Sequence, residues 1–298
     1  MNHSPKLSII VPSYNQGKYL EETLLSIINQ DCAFIELIII DGGSKDNSVE
    51  IIKKYEPYIT YWVSEKDSGQ SHAINKGIQK ASGEWVAWMN SDDCYLEGAF
   101  NYIFNELDYD KYDFMYGNCF IGESLNSAKE YRYPSSSRQK LKDIVKFFYN
   151  HAHIIPSQSV FVRKSILDEV GTLDESLHYC MDLEWYCRIF LATDKRFFYD
   201  KSICFFRINE QTKTGSSYQK MQSEAIAVLY KYLTRLPAIN KRSLLKLLFL
   251  HRALKKAWKK EIKQNLFFFI RVLMKAPRES LSDKRFLGLM KNRLLSFR

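Results

Sequence analysis

The sequence predicts an α/β protein built on a mostly parallel, doubly wound β-sheet. Short β-branched runs recur through the first 90 residues, polar turns follow them, and segments of helical apolar spacing lie between them. Strands that are buried on both faces and alternate with helices are typical of parallel sheets made of βαβ units. Right-handed crossovers then place helices on both faces of the sheet, and a reversal of strand order makes it doubly wound.

The first half of the chain supplies four strands and the helices between them. The strands are predicted at Leu7–Val11, Leu37–Ile40, Tyr61–Val63 and Trp85–Met89. The intervening helices are predicted at Gly17–Gln30, at Asp46–Tyr55, and from a Ser68 cap to about Ala81. These elements alone define the parallel part of the sheet.

The second half of the chain has a looser pattern. Its predicted helices are Glu97–Leu107, Lys164–Val170 and Asp182–Ala192, and its predicted strands are Phe114–Gly117, Val160–Val162, Phe197–Tyr199 and Cys204–Phe206. Residues 123–140 are polar and predict a mobile loop. Everything beyond Ser217 has helical spacing, which divides the chain into a sheet domain (1–216) and a helical, basic C-terminal region (217–298).

Composition excludes several classes of protein. With 14% aromatic and 46% hydrophobic residues among 298, the chain is not disordered. The six cysteines are scattered without a CxxC pair, so neither a zinc site nor a disulfide framework is expected. No apolar signal segment opens the sequence, and no uncharged stretch of about 18 apolar residues occurs, so the expected compartment is the cytoplasm.

The net charge of +9 is unevenly distributed. Residues 240–298 hold 17 Lys/Arg and 3 Asp/Glu, a net of +14, whereas the first 239 residues hold 26 basic (43 − 17) and 31 acidic (34 − 3) residues, a net of −5. Such an asymmetry indicates an anionic partner for the C-terminal region.

Polar residues follow all four N-terminal strands at the same edge of the predicted sheet. They are Pro12-Ser13-Tyr14-Asn15, Asp41, Asp67 and Asn90-Ser91-Asp92-Asp93. One Asp alone is most simply a helix cap or a turn former. Four strands that all deliver polar groups to one edge indicate a ligand site, because ligands of open α/β sheets bind at the carboxyl ends of the strands.

The chemistry of this edge points to a metal-bridged phosphate ligand. The first turn, PSYNQGKY, lacks the GxGxxG dinucleotide fingerprint, and no GxxxxGK[ST] loop occurs. Carboxylates alone repel phosphate, and a divalent cation such as Mg²⁺ or Mn²⁺ removes that conflict. Asp92 and Asp93 are the expected metal ligands, and Asp41 is placed like an acidic residue that holds a ribose hydroxyl.

Four segments resemble family 2 glycosyltransferases with the GT-A fold. They are VPSYNQGKYLEETLLSI, IIIDGGSKDNS, EKDSGQSHAINKGI and ASGEWVAWMNSDD, and the similarity continues through SQSVFVRKSILDEVGTLDESLHYCMDLEWYCRI, covering roughly residues 6–215. The resemblance implies a Rossmann-like sheet and transfer of a sugar, with inversion, from a nucleotide diphosphate donor. By the same resemblance, Pro12, Tyr14 and Asp41 hold the nucleotide, and Asp67 lies close to it.

The resemblance also assigns the metal motif. NSDD is a variant of the family's DxD motif, in which Asn90 stands at the first position and Asp92, at the last, reaches the metal–diphosphate. Asn209 stands where a His often occurs in the family, which leaves the third protein ligand open. Lys213 or Arg207 is an alternative partner for phosphate charge.

The catalytic base is assigned through the family's ED-like motif. Its counterpart here is Met181-Asp182, so Asp182 is the expected base and Glu184 the alternative. Without the resemblance, Asp182 is equally well explained as a helix N-cap. Trp185 is expected to be a packing residue, with stacking on a sugar as the alternative.

The C-terminal region combines a basic and an apolar stripe. Basic residues recur at three- and four-residue spacing over 252–263, and LFFFIRVLM follows at 266–274, too short to span a bilayer. This is the pattern of a helix lying on an anionic membrane surface. The alternative is that the apolar stripe packs on the catalytic domain, and nucleic acid is not expected because no nucleic-acid-binding module is visible.

The sequence therefore predicts a metal-dependent inverting glycosyltransferase. The expected donor is a UDP-sugar and the expected acceptor a growing saccharide or lipid-linked saccharide, with the enzyme peripheral on the cytoplasmic face of the membrane. A nucleotidyltransferase and an inactive nucleotide-sugar-binding module are the alternatives. The first usually has a Gly-rich, basic loop after its first strand, and this chain does not.

Overall fold

A computed structural model describes most of the chain. It covers residues 7–131 except 31 and 33, then 155–208, 218–233 and 266–276, with single positions at 246, 249, 281, 286 and 287. The chain forms two compact units, the first comprising residues 1–141 and 154–225 and the second residues 142–153 and 226–298. The predicted boundary between residues 216 and 217 lies within the undescribed stretch 209–217.

The N-terminal half of the first unit is a parallel sheet. Strands β1 (Leu7–Ser13), β2 (Ile35–Asp41), β3 (Tyr61–Ser64) and β4 (Trp85–Trp88) pair in the order β3-β2-β1-β4, all in parallel. Helices α1 (Gly17–Ile28), α2 (Ser48–Lys54) and α3 (Gln70–Lys80) connect them. The predicted strands and helices of this half are confirmed.

The second half of the sheet is mixed. It contains β5 (Cys94–Tyr95), β6 (Phe114–Gly122), β7 (Lys129–Tyr131), β8 (Phe161–Arg163) and β9 (Arg196–Arg207). Strand β8 runs antiparallel to both β4 and β6, whereas β6 and β9 are parallel. The sheet continues from β4 in the order β8-β6-β9-β5, with β7 paired to β6.

The helices of this half flank the mixed strands. Helix α4 (Ala99–Asn101) continues into a π-helical turn (Tyr102–Glu106), and α5 (Lys164–Val170) and α6 (Met181–Ala192) follow β8. Helix α6 begins one residue before the predicted start, so Asp182 lies in its first turn.

Three local predictions were wrong. Part of the polar segment predicted as a loop pairs with β6 as strand β7, whose exposed edge position explains its polar sequence. The two predicted strands after α6 form one strand, β9. Both of its halves pair with β6, and the register of this pairing shifts on either side of Asn118, as at a β-bulge. Gly69, and not Ser68, stands at the N-cap position of α3, and no side chain caps the helix there; the Ser68 backbone N–H donates to Nδ1 of His72 (3.0 Å).

The core of the first unit lies on both faces of β1. On one face, Ile9 and Val11 pack in a cluster with Leu20 and Leu24 of α1. On the other face, α3 approaches β1 so closely that a Cβ at Gly77 would lie 2.3 Å from Cγ2 of Ile10. Only a residue without a side chain fits here, which fixes α3 on the sheet. The six cysteines, all within the described residues, form no disulfide.

The C-terminal region is helical where it is described. Helix α7 (Tyr218–Leu233) begins in the first unit and ends in the second, and α8 (Leu266–Lys275) belongs to the second. In the described residues, no helix combines the length and the apolar character needed to cross a bilayer. The predicted basic stripe over 252–263 lies outside the described residues, as does most of the region after residue 233.

Candidate active site

The strand order places a crevice between β1 and β4. The chain runs outward from β1 through β2 to β3 and then returns to β4 on the opposite side of β1. At such a switch point the loops after two neighbouring parallel strands diverge and leave a cleft at their carboxyl ends. The loops after Ser13 and Trp88 therefore form the two walls of the candidate site, and the loops after β2 and β3 continue the same edge.

Asp41 organises the loop after β2. Its carboxylate is fully buried and accepts hydrogen bonds from the backbone N–H groups of Gly43 (3.1 Å) and Ser44 (2.9 Å). The hydroxyls of Ser44 and Ser64 donate to the same carboxylate at 2.5 and 2.6 Å. Asp41 thus holds together the ends of β2 and β3, and its predicted contact with the nucleotide stays a prediction.

The loops after β1 and β2 are joined through Asn15. Its backbone N–H donates to the Ser44 hydroxyl (2.8 Å), and its side-chain oxygen accepts the Lys45 N–H (2.8 Å). Asn15 has a left-handed backbone with φ of 52°, a conformation that Asn tolerates better than most residues. The two loops therefore form one preformed surface ahead of any ligand.

Tyr14 and Asp67 converge on Gly42. A Cβ built on Gly42 would lie 2.8 Å from Oδ2 of Asp67 and 3.3 Å from Cδ2 of Tyr14. The Tyr14 ring is 59% exposed, which leaves its face accessible to a ligand. Asp67 also accepts the Gly69 N–H at 2.8 Å, at the start of α3. Pro12 is buried near the carboxyl end of β1.

Asp92 and Asp93 have different environments although they are adjacent. Asp93 is fully buried, and its carboxylate accepts hydrogen bonds from the side chains of Asn90 (3.0 Å) and Gln158 (2.6 Å). The backbone N–H of Arg207 donates to it at 2.7 Å. Asp92 is half-buried, and within the described residues only its own backbone N–H bonds to its carboxylate. Of the two predicted metal ligands, Asp92 is therefore the one whose carboxylate accepts no hydrogen bond from another of the described residues.

Arg207 holds this turn from β9. Its Nε donates to the carbonyl oxygen of Asp92 (2.8 Å), and its terminal nitrogens donate to the Glu123 carbonyl (2.9 Å) and the Glu22 carboxylate (2.7 Å). The guanidinium is nearly buried over the Tyr19 ring. Arg207 is thus engaged by the protein itself, in contrast to the phosphate contact considered from the sequence. Lys213 and Asn209 lie outside the described residues.

Burial raises the pKa of both carboxyls in the turn. For Asp92, burial is the main cause, and the residue's own backbone N–H and the Arg207 guanidinium oppose it. For Asp93, burial and the Asp92 charge raise the pKa well above its ordinary value against the hydrogen bonds from Arg207, Gln158 and Asn90. Uncompensated negative charge is therefore costly at this edge, which favours a cationic partner.

Asn90 connects the turn to α3. Its side-chain oxygen accepts a hydrogen bond from Gln70 (2.7 Å), while its amide donates to Asp93. Both ends of the side chain are thus used to join the loops after β3 and β4. Gln70 and Gln158 were not singled out from the sequence. Gln70 lies in DSGQS and Gln158 in SQSVF, and both segments belong to the stretches that resemble the glycosyltransferase family. This resemblance is the only sequence feature that points to the two residues.

The described residues at this edge supply few oxygen ligands for a divalent cation. No cluster of three or more His, Cys, Asp or Glu side chains suited to a metal occurs in the described part of the chain. Mg²⁺ usually takes only one or two carboxylates from a protein and completes its shell with substrate phosphates and water. A half-buried Asp92 at the switch point fits the protein's share of such a shell.

Asp182 and Glu184 differ as candidate bases. Asp182 is half-buried in the first turn of α6, and its Oδ1 accepts the Leu183 N–H at 2.7 Å. Glu184 is 2% exposed and paired with Arg188 at 2.8 Å. A carboxylate that is buried in an ion pair is not accessible to an acceptor. The geometry therefore favours Asp182 over Glu184.

Aromatic packing places α6 beside β4. The rings of Trp88, at the end of β4, and Trp185 lie 5.2 Å apart. Trp185 is buried and donates through Nε1 to the Gly171 carbonyl oxygen (3.1 Å), which confirms the packing role predicted for it. Asp182 lies three residues before Trp185, and Asn90 two residues after Trp88, so the contact draws the start of α6 towards the loop after β4.

The family follows from comparison with known proteins. The family model described as Glycosyl transferase family 2 matches residues 8–171, a span that contains β1 to β4 and the Asn90–Asp93 turn. The chain belongs to glycosyl transferase family 2 and is a glycosyltransferase. Membership in this family speaks against the nucleotidyltransferase alternative.

One curated relative has a named activity. The GalNAc(5)-diNAcBac-PP-undecaprenol beta-1,3-glucosyltransferase of Campylobacter jejuni is 29% identical over 211 residues, which cover 70% of this chain and 66% of the relative. The matched part is thus about two thirds of that enzyme.

Solved structures share the fold. TarS of S. aureus, residues 1–349 in complex with UDP-GlcNAc, matches with a TM-score of 0.66 and 19% identity over 95% of this chain and 81% of that one. This chain spans 50% of the longer TarS structure. The mannosyltransferase PcManGT of Pyrobaculum calidifontis, in complex with GDP-Man and Mn2+, matches with a TM-score of 0.56 and 15% identity. The match covers 99% of this chain and 75% of that one. These similarities confirm the GT-A fold.

Proposed function

We propose that this enzyme transfers a sugar, with inversion, from a UDP-sugar to a lipid-linked saccharide, and that it requires Mg²⁺ or Mn²⁺. The observation that carries the proposal is the Asn90–Asp93 turn at the switch point. There, Asp93 accepts hydrogen bonds from Asn90, Gln158 and Arg207, while the neighbouring Asp92 has no such donor from another residue in the part of the chain that the structure describes.

Hydrogen bonds to the backbone of the turn restrict the position of Asp92. The Arg207 Nε donates to the Asp92 carbonyl oxygen, and the Thr23 hydroxyl donates to the Asp93 carbonyl oxygen, both at 2.8 Å. Because backbone and neighbouring side chain are both fixed, Asp92 loses little conformational freedom when it binds. A divalent cation held there would neutralise the diphosphate and stabilise it as the leaving group.

The nucleotide is proposed to lie across the loops after β1, β2 and β3. The exposed Tyr14 ring offers an apolar face for a base. Asp67 offers an acceptor for a base or ribose donor. Asp41, which is buried and accepts four hydrogen bonds, is proposed to contribute by holding the loop after β2, and the Asn15–Ser44 contact joins that loop to the loop after β1. The UDP-GlcNAc complex of TarS supports a UDP-sugar as the donor.

Asp182 is proposed as the general base. Inversion requires a group that removes the proton from the acceptor hydroxyl on the face of the sugar opposite to the leaving diphosphate. Asp182 is half-buried at the start of α6, while Glu184 is committed to Arg188. The Trp88–Trp185 contact holds α6 beside the loop that carries Asp92.

The acceptor and the location of the enzyme are proposed from the relative and the charge distribution. The named C. jejuni relative acts on an undecaprenol-linked saccharide, which supports a lipid-linked acceptor. Residues 240–298 carry a net charge of +14, from 17 basic and 3 acidic residues. Anionic lipid attracts such segments by about 1 kcal/mol per basic residue near the surface. We place the enzyme peripherally on the cytoplasmic face of the membrane.

The proposal is tested by the fate of the donor. UDP-glucose, UDP-GlcNAc and UDP-galactose are incubated with the full chain and MnCl₂, and UDP release is followed with and without EDTA. Proton NMR then identifies the anomer of the first sugar released. We expect EDTA-sensitive release and a β-sugar from an α-linked donor. Release of the α-anomer would contradict inversion, and the absence of release from every donor would favour the inactive binding module.

A matched pair of variants controls for folding. Asp92→Asn is expected to abolish metal-dependent release. Asp168→Asn makes the same chemical change at an exposed position of α5 and is expected to leave release unchanged. Equal activity of the two variants would overturn the assignment of Asp92.

A further inference from the structure

The segment before Asp182 is held by a carboxylate from another helix. Glu224 lies on α7, and its Oε1 accepts the His178 backbone N–H at 3.0 Å. Its Oε2 accepts the backbone N–H groups of Tyr179 and Cys180 at 2.6 and 2.7 Å. One side chain thus satisfies three consecutive backbone donors that immediately precede α6.

This contact lies directly before the first turn of α6, at an end of the helix without a side-chain cap. The residue that precedes the first turn is Cys180, and it makes no side-chain capping hydrogen bond. Ser, Thr, Asp or Asn normally fills that position and accepts an N–H group of the first turn. Glu224, more than 40 residues further along the chain, instead accepts the N–H of Cys180 and of the two residues before it, and its negative charge suits the N-terminal end of the helix.

A second contact fixes the same two elements. The Cys180 thiol donates to the Met221 carbonyl oxygen at 3.3 Å, one turn before Glu224 on α7. Residues three apart lie on the same side of a helix, so one side of α7 meets the segment at two points. Burial raises the pKa of this thiol, and the nearby Asp182 and Glu224 charges act in the same direction, so it remains a neutral donor.

Other hydrogen bonds fix the beginning of the loop between α5 and α6, residues 171–180. Asn75 of α3 donates to the Leu173 carbonyl oxygen (3.0 Å) and accepts the Leu173 N–H (2.8 Å). Arg188 of α6 donates to the carbonyl oxygens of Val170 and Thr172. These contacts hold the beginning of the loop, and Glu224 holds its last three residues, directly before the proposed base.

We propose that Glu224 is a positioning residue that fixes residues 178–180 and thereby sets the direction of the Asp182 carboxylate. This inference rests on the proposed role of Asp182 as the base. A catalytic group must be held to within about 0.5 Å of its productive position. It follows that Glu224, although it lies beyond the predicted end of the sheet domain at residue 216, acts together with the proposed base.

The test compares Glu224→Ala with Glu224→Gln and Lys220→Gln. Glu224→Ala removes all three acceptors, Glu224→Gln keeps one oxygen, and Lys220→Gln changes an exposed residue one turn earlier on α7. UDP release is measured with the best donor of the panel and MnCl₂, and UDP affinity by titration calorimetry. We expect kcat to fall about 100-fold in Glu224→Ala, less in Glu224→Gln, and not in Lys220→Gln, with UDP affinity within about twofold throughout.

A double variant separates positioning from simple destabilisation. In an Asp182→Asn background the base is already lost, so Glu224→Gln should have no further effect on kcat. Equal losses in both backgrounds, or a normal kcat in Glu224→Ala, would overturn the role of Glu224. If Asp182→Asn itself turns over normally, the proposed base has failed instead. If Glu224→Ala does not fold, the Glu224→Gln series decides in the same way.

Discussion

Gly42 gives the sharpest test of the donor site, because a single methyl group there disturbs two candidate contacts at once. An added Cβ would lie 2.8 Å from Oδ2 of Asp67 and 3.3 Å from Cδ2 of Tyr14, whereas ordinary contact begins at 3.4 Å. The Asp67 oxygen must therefore move by about 0.6 Å (3.4 − 2.8) and the Tyr14 ring by about 0.1 Å. Gly42 is not among the glycines with positive φ, so its backbone accepts Ala.

The expected effect falls on binding and not on folding. Both obstructing groups are side chains that can turn away at little cost to the fold. Asp67 then loses its proposed hydrogen bond to the nucleotide, and a hydrogen bond involving a charged group contributes about 1.5–3 kcal/mol. At 1.4 kcal/mol per tenfold, the Kd for UDP should rise about 10- to 100-fold. The melting temperature should stay within a few degrees of the wild type.

Titration calorimetry of UDP with Mn²⁺ measures this effect, and the double variant Gly42→Ala/Asp67→Ala provides the control. Removing the Asp67 carboxylate removes most of the clash, so the double variant should bind UDP no more weakly than Asp67→Ala alone. An unchanged Kd in Gly42→Ala would show that Asp67 and Tyr14 do not contact the nucleotide. A fall in melting temperature large enough to account for the loss would refute the packing argument.

Four further outcomes are expected. Asp182→Asn should slow UDP release about 10²–10⁴-fold with little change in UDP affinity, which single-turnover kinetics and titration can separate. Asp93→Ala leaves buried donors unpaired and should lower the free energy of unfolding in urea by about 1–3 kcal/mol per unpaired donor. Burial raises the pKa of Asp46, but hydrogen bonds from Ser48 and Gly17 outweigh it and hold that pKa below its ordinary 3.8. The stability that Asp46 contributes is therefore present above pH 3.8 and is lost below it, so Asp46→Asn should be less stable near neutral pH and match the wild type in acid. The full chain should sediment with anionic liposomes in a salt-sensitive manner, whereas a chain ending at Asn240 should not, and equal binding by both would show that the C-terminal region is not the anchor.

The parallel half of the fold was predictable because its signals are local. Runs such as LSIIV and LIII are short and rich in β-branched residues, which favours buried strands, and the polar residues after them mark the carboxyl ends. Strand β7 gave no such signal, since an edge strand with two exposed residues and one half-buried residue reads as a loop. Strand β9 was divided in two because its middle, Asp200 and Lys201, is exposed and polar.

The location of the site was predictable from the sequence, but the hydrogen-bond partners of its side chains were not. The position of Asp41, Asp67, Asn90 and Asp92 after predicted parallel strands places them at one edge of the sheet, and the structure brings them to that edge. Asp92 and Asp93 differ in the hydrogen bonds to their carboxylates. Gln158 and Arg207 donate to Asp93 and lie 65 and 114 residues away from it along the chain. Contacts over such separations depend on the pairing of β8 and β9 with the sheet, which no local pattern reveals.

The most direct test of the central claim is a calorimetric titration of UDP into the wild type, Asp92→Asn and the surface control Asp168→Asn, each with and without Mn²⁺. We predict that Mn²⁺ strengthens UDP binding in the wild type and in Asp168→Asn, and that Asp92→Asn binds UDP equally weakly in both conditions. Metal-dependent binding that persists unchanged in Asp92→Asn would contradict the proposal that this carboxylate joins the protein to the metal and the diphosphate.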